Sequence, residues 1–365
     1  MQIKNVIEYL EELSPTHYAE SYDNVGLLVG DANSNLTGIL ITHDTLPEVV
    51  DEAVEKGLNL IVSFHPIIFS GLKKITGKSY IEKTVIKAIK NDIAIYAIHT
   101  ALDVSWQGVN DIVLKKLGAV VNKQILLPKE KTIKKLTTYV PLKNADAVRK
   151  ALFNVGAGSI GNYSNCSFNT KGEGTYKGNE NSNPVIGKKG ELHTEKEINI
   201  GITFPSHLEN KILSTLFEVH PYEEVAYEVT TLDNSNQHIG LGMTAELEKA
   251  MPEVEFLKFL KEKLPTKCIR HSNLLGGEIK KIAVLGGSGS FATKAAISSG
   301  ADVFISADFK YHDFYQAENK IIIADIGHYE SEQFTKNILF EYLSKKITKF
   351  AVALSEFNTN PINYL

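Results

Sequence analysis

Three histidines in this 365-residue chain follow short apolar runs: His65 after LNLIVSF, His99 after IAIYAI and His328 after KIIIADIG. Two of them are followed four residues later by a carboxylate, His99 by Asp103 and His328 by Glu332. On a helix, a spacing of four puts both side chains on one face. Imidazole nitrogen with carboxylate oxygen suits a borderline divalent cation such as Zn, Fe, Mn or Co. Glu330, two residues after His328, points elsewhere and is a poorer ligand candidate. Taken singly, each histidine has a plainer reading as a satisfied side chain at a strand end. Glu332 alone reads as an acid favoured by the helix macrodipole. Taken jointly, three strand ends each delivering a histidine make a His/carboxylate cluster.

Other stretches carry weaker chemistry. Gly286-Gly287-Ser288-Gly289-Ser290, between a strand and a helix, has the composition of an anion-binding turn. It is neither a Walker A sequence nor GxGxxG, and a tight turn needing small residues explains it slightly better. Asp308-Phe309-Lys310-Tyr311-His312-Asp313 follows a strand, so Asp308 or His312 is a candidate for the same cleft, a helix cap being the plainer reading. Asp23-Asn24-Val25-Gly26 reads as turn chemistry within reach of the site. There is no GxSxG elbow. Cys166 is far in sequence from any candidate base and reads as structural.

These residues need a scaffold that gathers strand ends. Leu36–Thr42, Leu58–Phe64 and Ile93–Ile98 read as strands, with helices over Leu46–Gly57 and Ser79–Asn91 between them. The grammar returns near the C-terminus with strands at Lys280–Leu285, Ala301–Ser306, Lys320–Ile326 and Phe350–Leu354, and one long helix from Tyr329 to about Lys346. Strand–helix alternation at this spacing predicts βαβ units and a mostly parallel sheet. In such sheets ligands sit beyond the carboxyl ends of the strands, where all three histidines fall. The middle of the chain differs. Strands at Ile133–Val140, Ile198–Phe204 and Val225–Leu232, helices at Asn144–Asn154 and His207–Val219, and a Gly/Asn/Ser-rich region at Gly156–Gly190 predict a ferredoxin-like α+β unit. The expected fold is therefore a discontinuous, three-layer-like α/β domain, residues 1–129 and 238–365, with an α+β domain inserted at 130–237.

Composition sets outer limits. Hydrophobic residues are 43% and charged residues 22%, an ordinary globular mix that excludes a largely disordered or fibrous chain. The formal net charge of −4 argues against a dedicated nucleic-acid binder. Two cysteines make neither a disulfide framework nor a four-thiolate zinc site. The N-terminal stretch is an acidic amphipathic helix rather than a signal peptide, and no run approaches a membrane span. The expectation is a soluble, cytoplasmic protein.

Six ordered stretches also carry a family resemblance: DNVGLLVG (Asp23–Gly30), SFHPIIFSG (Ser63–Gly71), IHTALD (Ile98–Asp103), VLGGSGS (Val284–Ser290), SADFKYHD (Ser306–Asp313) and ADIGHYESE (Ala324–Glu332). The chain resembles the interacting-factor-three-like family, whose members are named GTP cyclohydrolase 1 type 2 homologs. GAGSIGNYSNCSF (Gly156–Phe168), NPVIG (Asn183–Gly187) and HPYEEVAYE (His220–Glu228) resemble the insert of its longer bacterial members. The resemblance implies a toroidal homohexamer with a dinuclear metal centre in each subunit. Carried over by matching motif, the ligands are His65, Asp103, His328 and Glu332, with Glu332 placed to bridge.

The family pattern has two adjacent histidines before the proline, and here the first is Phe64. One metal thus lacks a ligand, which leaves one or two divalent ions per subunit (Zn, Fe or Mn), with His99 as a replacement or as a partner behind the ligands. The resemblance further implies hydrolysis of a small nucleotide- or phosphoester-like substrate. Asp103 or Glu332 would orient the nucleophile and His99 would act as general acid/base. The alternative is a non-catalytic metal-binding ring. The insert resembles a small trimer-forming, signal-protein-like fold that caps the ring, with His220–Glu224 either facing the pore or shaping a turn.

Overall fold

The computed structural model describes residues 1–365. The chain divides into two compact units, residues 1–128 with 237–365 and residues 129–236. The first segment of the larger unit runs α1 (Ile3–Leu13), β1 (Gly26–Val29), β2 (Gly38–Thr42), α2 (Pro47–Glu55), β3 (Leu60–Ser63), α3 (Tyr80–Lys90), β4 (Ala94–Ala97), α4 (His99–Asp103), α5 (Val109–Lys116) and β5 (Ala119–Pro128). The smaller unit holds β6 (Ile133–Pro141), α6 (Ala145–Asn154), β7 (Phe168–Lys177), β8 (Leu192–Pro205), α7 (Glu209–Val219) and β9 (Tyr227–Thr231). The larger unit resumes with β10 (Gly240–Pro252), α8 (Glu253–Lys263), β11 (Arg270–His271), β12 (Glu278–Ser288), α9 (Thr293–Ser298), β13 (Val303–Ala307), β14 (Ile322–Asp325), α10 (His328–Glu332), α11 (Thr335–Lys346) and β15 (Ala351–Leu354).

The larger unit contains two sheets. One has the order β1-β4-β3-β2-β15, parallel except for β1, and the other the order β11-β14-β13-β12-β10-β5. In the second, only β12, β13 and β14 run parallel, and β5, β10 and β11 pair antiparallel. The expectation of a mostly parallel sheet thus holds for the first sheet and fails for the second. The reason is that β5 and β10, which flank the smaller unit in sequence, pair with each other as an antiparallel ribbon.

Strands β2, β3 and β4 are buried along their whole length, as apolar, β-branched strands covered on both faces must be. Their side chains alternate between two cores. Ile39, Ile41, Leu60, Val62 and Tyr96 pack with α1 and α11, while Leu40, Ile61 and Ile95 pack with α2 and α3. The second sheet divides likewise, with Met243, Ile282, Val284 and Ile305 meeting Phe256 and Leu260 of α8, and Phe304 and Ile323 meeting Ala292 and Ala296. Local chemistry sets the helix starts: Pro47 takes the first position of α2, and the Ser79 hydroxyl accepts from the Glu82 amide to open α3.

The long helix expected from Tyr329 is two helices, α10 and α11, separated at Gln333–Phe334. In the smaller unit, the four strands pair antiparallel in the order β7-β8-β6-β9. Its core joins Leu136, Val140, Ile200 and Phe204 of the sheet to Val148, Leu152, Ile212 and Leu216 of α6 and α7. No helix is long and apolar enough to cross a membrane.

Candidate metal centre

Residues of the larger unit alone build the centre. Strands β2, β3 and β4 end side by side, and their hydrogen-bond ladder runs on past them. The Phe64 amide donates to the Thr42 carbonyl (3.1 Å), His65 to His43 (2.9 Å) and His99 to Phe64 (2.9 Å). Parallel pairing therefore sets His43, His65 and His99 in a row, with ring centroids 4.7 Å and 5.0 Å apart. From the second sheet, β14 leads through Gly327 into α10. Gly327 has φ +94° and its missing Cβ would meet Glu330 Oε2 at 2.3 Å, so glycine alone fits this turn. One turn of α10 then presents His328 and Glu332 together.

Glu332 is the focus of the cluster. It is 3% exposed, and its Oε2 lies 3.2 Å from His328 Nε2, 3.4 Å from His65 Nε2 and 3.7 Å from His43 Nε2. That oxygen is buried and has no hydrogen-bond partner, and neither does Asp103 Oδ1. Buried carboxylate oxygens left in this state are costly unless a cation joins them. Two groups of three have ligand atoms all within 4.8 Å of one another: His65, His328 and Glu332, and His43, Asp44 and His65. This donor set, imidazole with carboxylate, fits a borderline divalent cation.

Each imidazole is held from behind. Asp44 Oδ1 meets His65 Nδ1 at 2.8 Å, Asp308 Oδ2 meets His328 Nδ1 at 2.7 Å, and Asp23 Oδ1 meets His99 Nδ1 at 2.8 Å. A carboxylate on Nδ1 fixes ring orientation and leaves Nε2 to face the cluster, as metal-ligating histidines require. Thr359 Oγ1 donates to Asp44, Ser288 Oγ to Asp308, and Thr100 to Asp23, so the carboxylates are themselves oriented.

The charges are mutually adjusted. Burial opposes protonation of His65 and His328, yet the Asp44 carboxylate at Nδ1 and the nearby Glu332 charge hold His65 up to about 9, and Asp308 with Glu332 likewise holds His328 up to about 11. Burial would raise Glu332, but the imidazoles of His328 and His65 close to its Oε2 hold it well below the usual carboxylate range. Burial, and then the Glu332 charge, push Asp103 well above that range. Burial and the neighbouring His65 bring His43 down to about 4.

The glycine-rich turn serves packing. Gly286 donates its amide to Asn110 Oδ1 (2.9 Å) and Gly287 to Ser331 Oγ (2.8 Å), so neither amide is left for an anion. Gly287, at φ +68°, would drive a Cβ to 2.4 Å from Glu332 Oε1. These small residues let β12 approach the buried carboxylate closely.

A cavity of about 420 Å³ opens beside the cluster, lined by His43, Asp44, His65, Asp308, His328 and Arg270, with the C-terminal residues Asn360–Ile362 and Tyr364 along one wall. Arg270, half exposed, is anchored by Asp325 and the Phe309 carbonyl (2.9 Å).

Of the residues picked from sequence, His65, His328 and Glu332 fall in one ligand group, Asp103 is buried beside them, and His99 sits next to His65, backed by Asp23. His99 is in neither group of three. Asn24 turns away to the Ile68 carbonyl. His312 is exposed against Tyr311 and Tyr315. His220 accepts from the Tyr222 amide at 3.1 Å and meets the Tyr139 carbonyl at 3.0 Å. Both cysteines are free. Sequence reasoning missed His43, Asp44 and Arg270. His43 follows GILIT as His65 follows its own strand, so the same strand-end signal marks it.

Comparison with known proteins agrees with this picture. The family model described as Duf34/NIF3 (NGG1p interacting factor 3) matches residues 1–361. Proteins named GTP cyclohydrolase 1 type 2 homolog from Bacillus subtilis and Halalkalibacterium halodurans are 36% and 37% identical, covering 99% and 100% of this chain and 98% and 100% of theirs. The crystal structure of a Bacillus cereus protein related to NIF3 is similar with TM-score 0.87 at 36% identity, covering 100% of this chain and 99% of that one.

Proposed function

The chain belongs to the Duf34/NIF3 family, and from that premise we propose that it is a metal-dependent hydrolase of a small nucleotide- or phosphoester-like substrate. The observation that carries the reading is the unpartnered, buried Glu332 Oε2, with imidazole nitrogens converging on it. His65, His328 and Glu332 would hold a divalent cation, with Asp103 as a further carboxylate ligand and Glu332 placed to bridge two ions. Such a cation supplies Lewis acidity and an activated nucleophile at neutral pH.

The chain's own residues do the rest. Asp44 and Asp308 keep the two imidazoles in register, and Asp103 or Glu332 orients the nucleophile. His99, steadied by Asp23, sits beside His65 as the general acid/base. Arg270 at the cavity wall is suited to a phosphate oxygen. Phe64 offers no donor, which favours the second reading, a non-catalytic metal-binding ring. The two separate on single-turnover hydrolysis of a nucleotide and phosphoester panel by metal-loaded protein. Activity that Asp103→Asn abolishes supports the hydrolase, and absence of turnover across the panel with metal bound supports the ring.

The homohexamer is part of the same reading. Exposed Phe168, Tyr163 and Leu192 in the smaller unit, and Tyr311, Tyr315 and Phe291 in the larger, supply apolar surface for subunit contacts. The βαββαβ order of the smaller unit, with its 2-3-1-4 strand arrangement, supports reading it as a ferredoxin-like insert. Light scattering on the purified chain tests the assembly, and a mass near 40.3 kDa would reject it.

A further inference from the structure

His43 has no role in the reading above, yet it is one of the most constrained side chains in the larger unit. It is 3% exposed, and its ring lies nearly parallel to Phe64 at 5.3 Å and edge-on to Tyr329 at 5.1 Å. Its Nδ1 meets Thr335 Oγ1 at 3.2 Å, which fixes the ring. Its Nε2 is thereby turned toward Glu332 Oε2, 3.7 Å away, and its ring stands 4.7 Å from that of His65. The two ligand groups share His65, so His43 extends the donor cluster beyond His328 rather than duplicating it. Phe64, between the two strand ends, brings no donor and instead backs His43 with its ring.

We propose that His43 is a metal ligand, its Nε2 binding a second divalent cation that Glu332 shares with the cation held by His65 and His328. The inference rests on the metal-binding reading above and adds to it the residue that completes the second position. An imidazole opposite a shared carboxylate is the donor set of a borderline divalent ion. Fixing of Nδ1 by a hydroxyl from α11 is the kind of outer contact that orients a ligating histidine.

The test is elemental analysis of the full-length chain, stripped by chelator, reloaded with zinc alone and desalted. It compares wild type, His43→Leu, His43→Gln and Glu332→Gln, each checked for a wild-type circular dichroism spectrum. Wild type should retain about two zinc ions per chain. The His43 variants should retain about one, the second being lost on desalting. Equal zinc in wild type and His43 variants, or a single ion in wild type, would overturn the role of His43 while leaving the metal centre standing. No zinc in wild type, or full retention by Glu332→Gln, would instead sink the metal-binding reading itself.

A readout without variants guards against misfolding. In wild type labelled with nitrogen-15 histidine and loaded with a magnetically active cadmium isotope, three imidazole nitrogens should couple to cadmium. Coupling to only two would refute the assignment.

Discussion

The amide of His65 donates to the carbonyl of His43 at 2.9 Å, so the ladder that pairs β2 with β3 also sets the distance between two imidazoles. Side-chain placement here is inherited from backbone register, and a one-residue slip of either strand would turn its ring out of the cluster. Rigid positioning of this kind is what a metal site needs from its scaffold.

The carboxylates behind the histidines should matter nearly as much as the histidines. Asp44→Asn and Asp308→Asn each remove the charge from one Nδ1 contact while keeping shape. Zinc affinity should fall about 10–100-fold in each, with the fold retained. Competition titration against a chromophoric chelator measures this.

Gly287 is the close-approach residue. In Gly287→Ala the new Cβ meets Glu332 Oε1, and the φ of +68° adds strain. Gly57→Ala is the matched control, since φ is +66° there and nothing lies within 4 Å. Both variants should lose about 1–2 kcal/mol from the left-handed backbone. Only Gly287→Ala should also lose zinc affinity. Urea unfolding and metal titration of the two variants separate strain from collision.

Chelation should lower thermal stability. If zinc binds the folded cluster alone, a free concentration a hundredfold above Kd stabilises by about 2.7 kcal/mol. The unfolding midpoint in calorimetry should rise with free zinc and fall back with chelator, and Glu332→Gln should flatten that dependence.

Far from the centre, Glu82 gives a pH-dependent contribution to stability. Hydrogen bonds from the Thr76 hydroxyl and amide and the Lys78 amide bring its carboxyl down to about 2. A depressed folded-state pKa stabilises above the ordinary value of about 4.3 and loses that contribution as pH falls through the folded one. Glu82→Gln should therefore melt below wild type at pH 7, with the gap closing as pH falls toward 2.

Strand-end histidines were legible because one short apolar run suffices to mark each. His43 carries the same signal, directly after the strand Leu36–Thr42, but no carboxylate four residues on and no family motif singles it out. The pairings of Asp44, Asp308 and Asp23 join residues 20 or more positions apart and leave no local trace. β5 and β10 lack clean alternation, since Val120 and Val121 are exposed and the pairing shifts register repeatedly. No glycine or proline marks the break between α10 and α11, so periodicity alone ran them together.

The sheet order has a consequence for synthesis. β2 lies between β3 and β15, so its outer edge stays open until Ala351 emerges, 351 − 42 = 309 residues after Thr42. At about 5–20 residues per second that is roughly 15–60 s on the ribosome. Throughout that interval an apolar strand, GILIT, presents unpaired backbone to its surroundings, and Leu339 and Leu343 of its covering helix arrive almost as late. Nascent chains stalled before residue 351 should therefore be client material for chaperones.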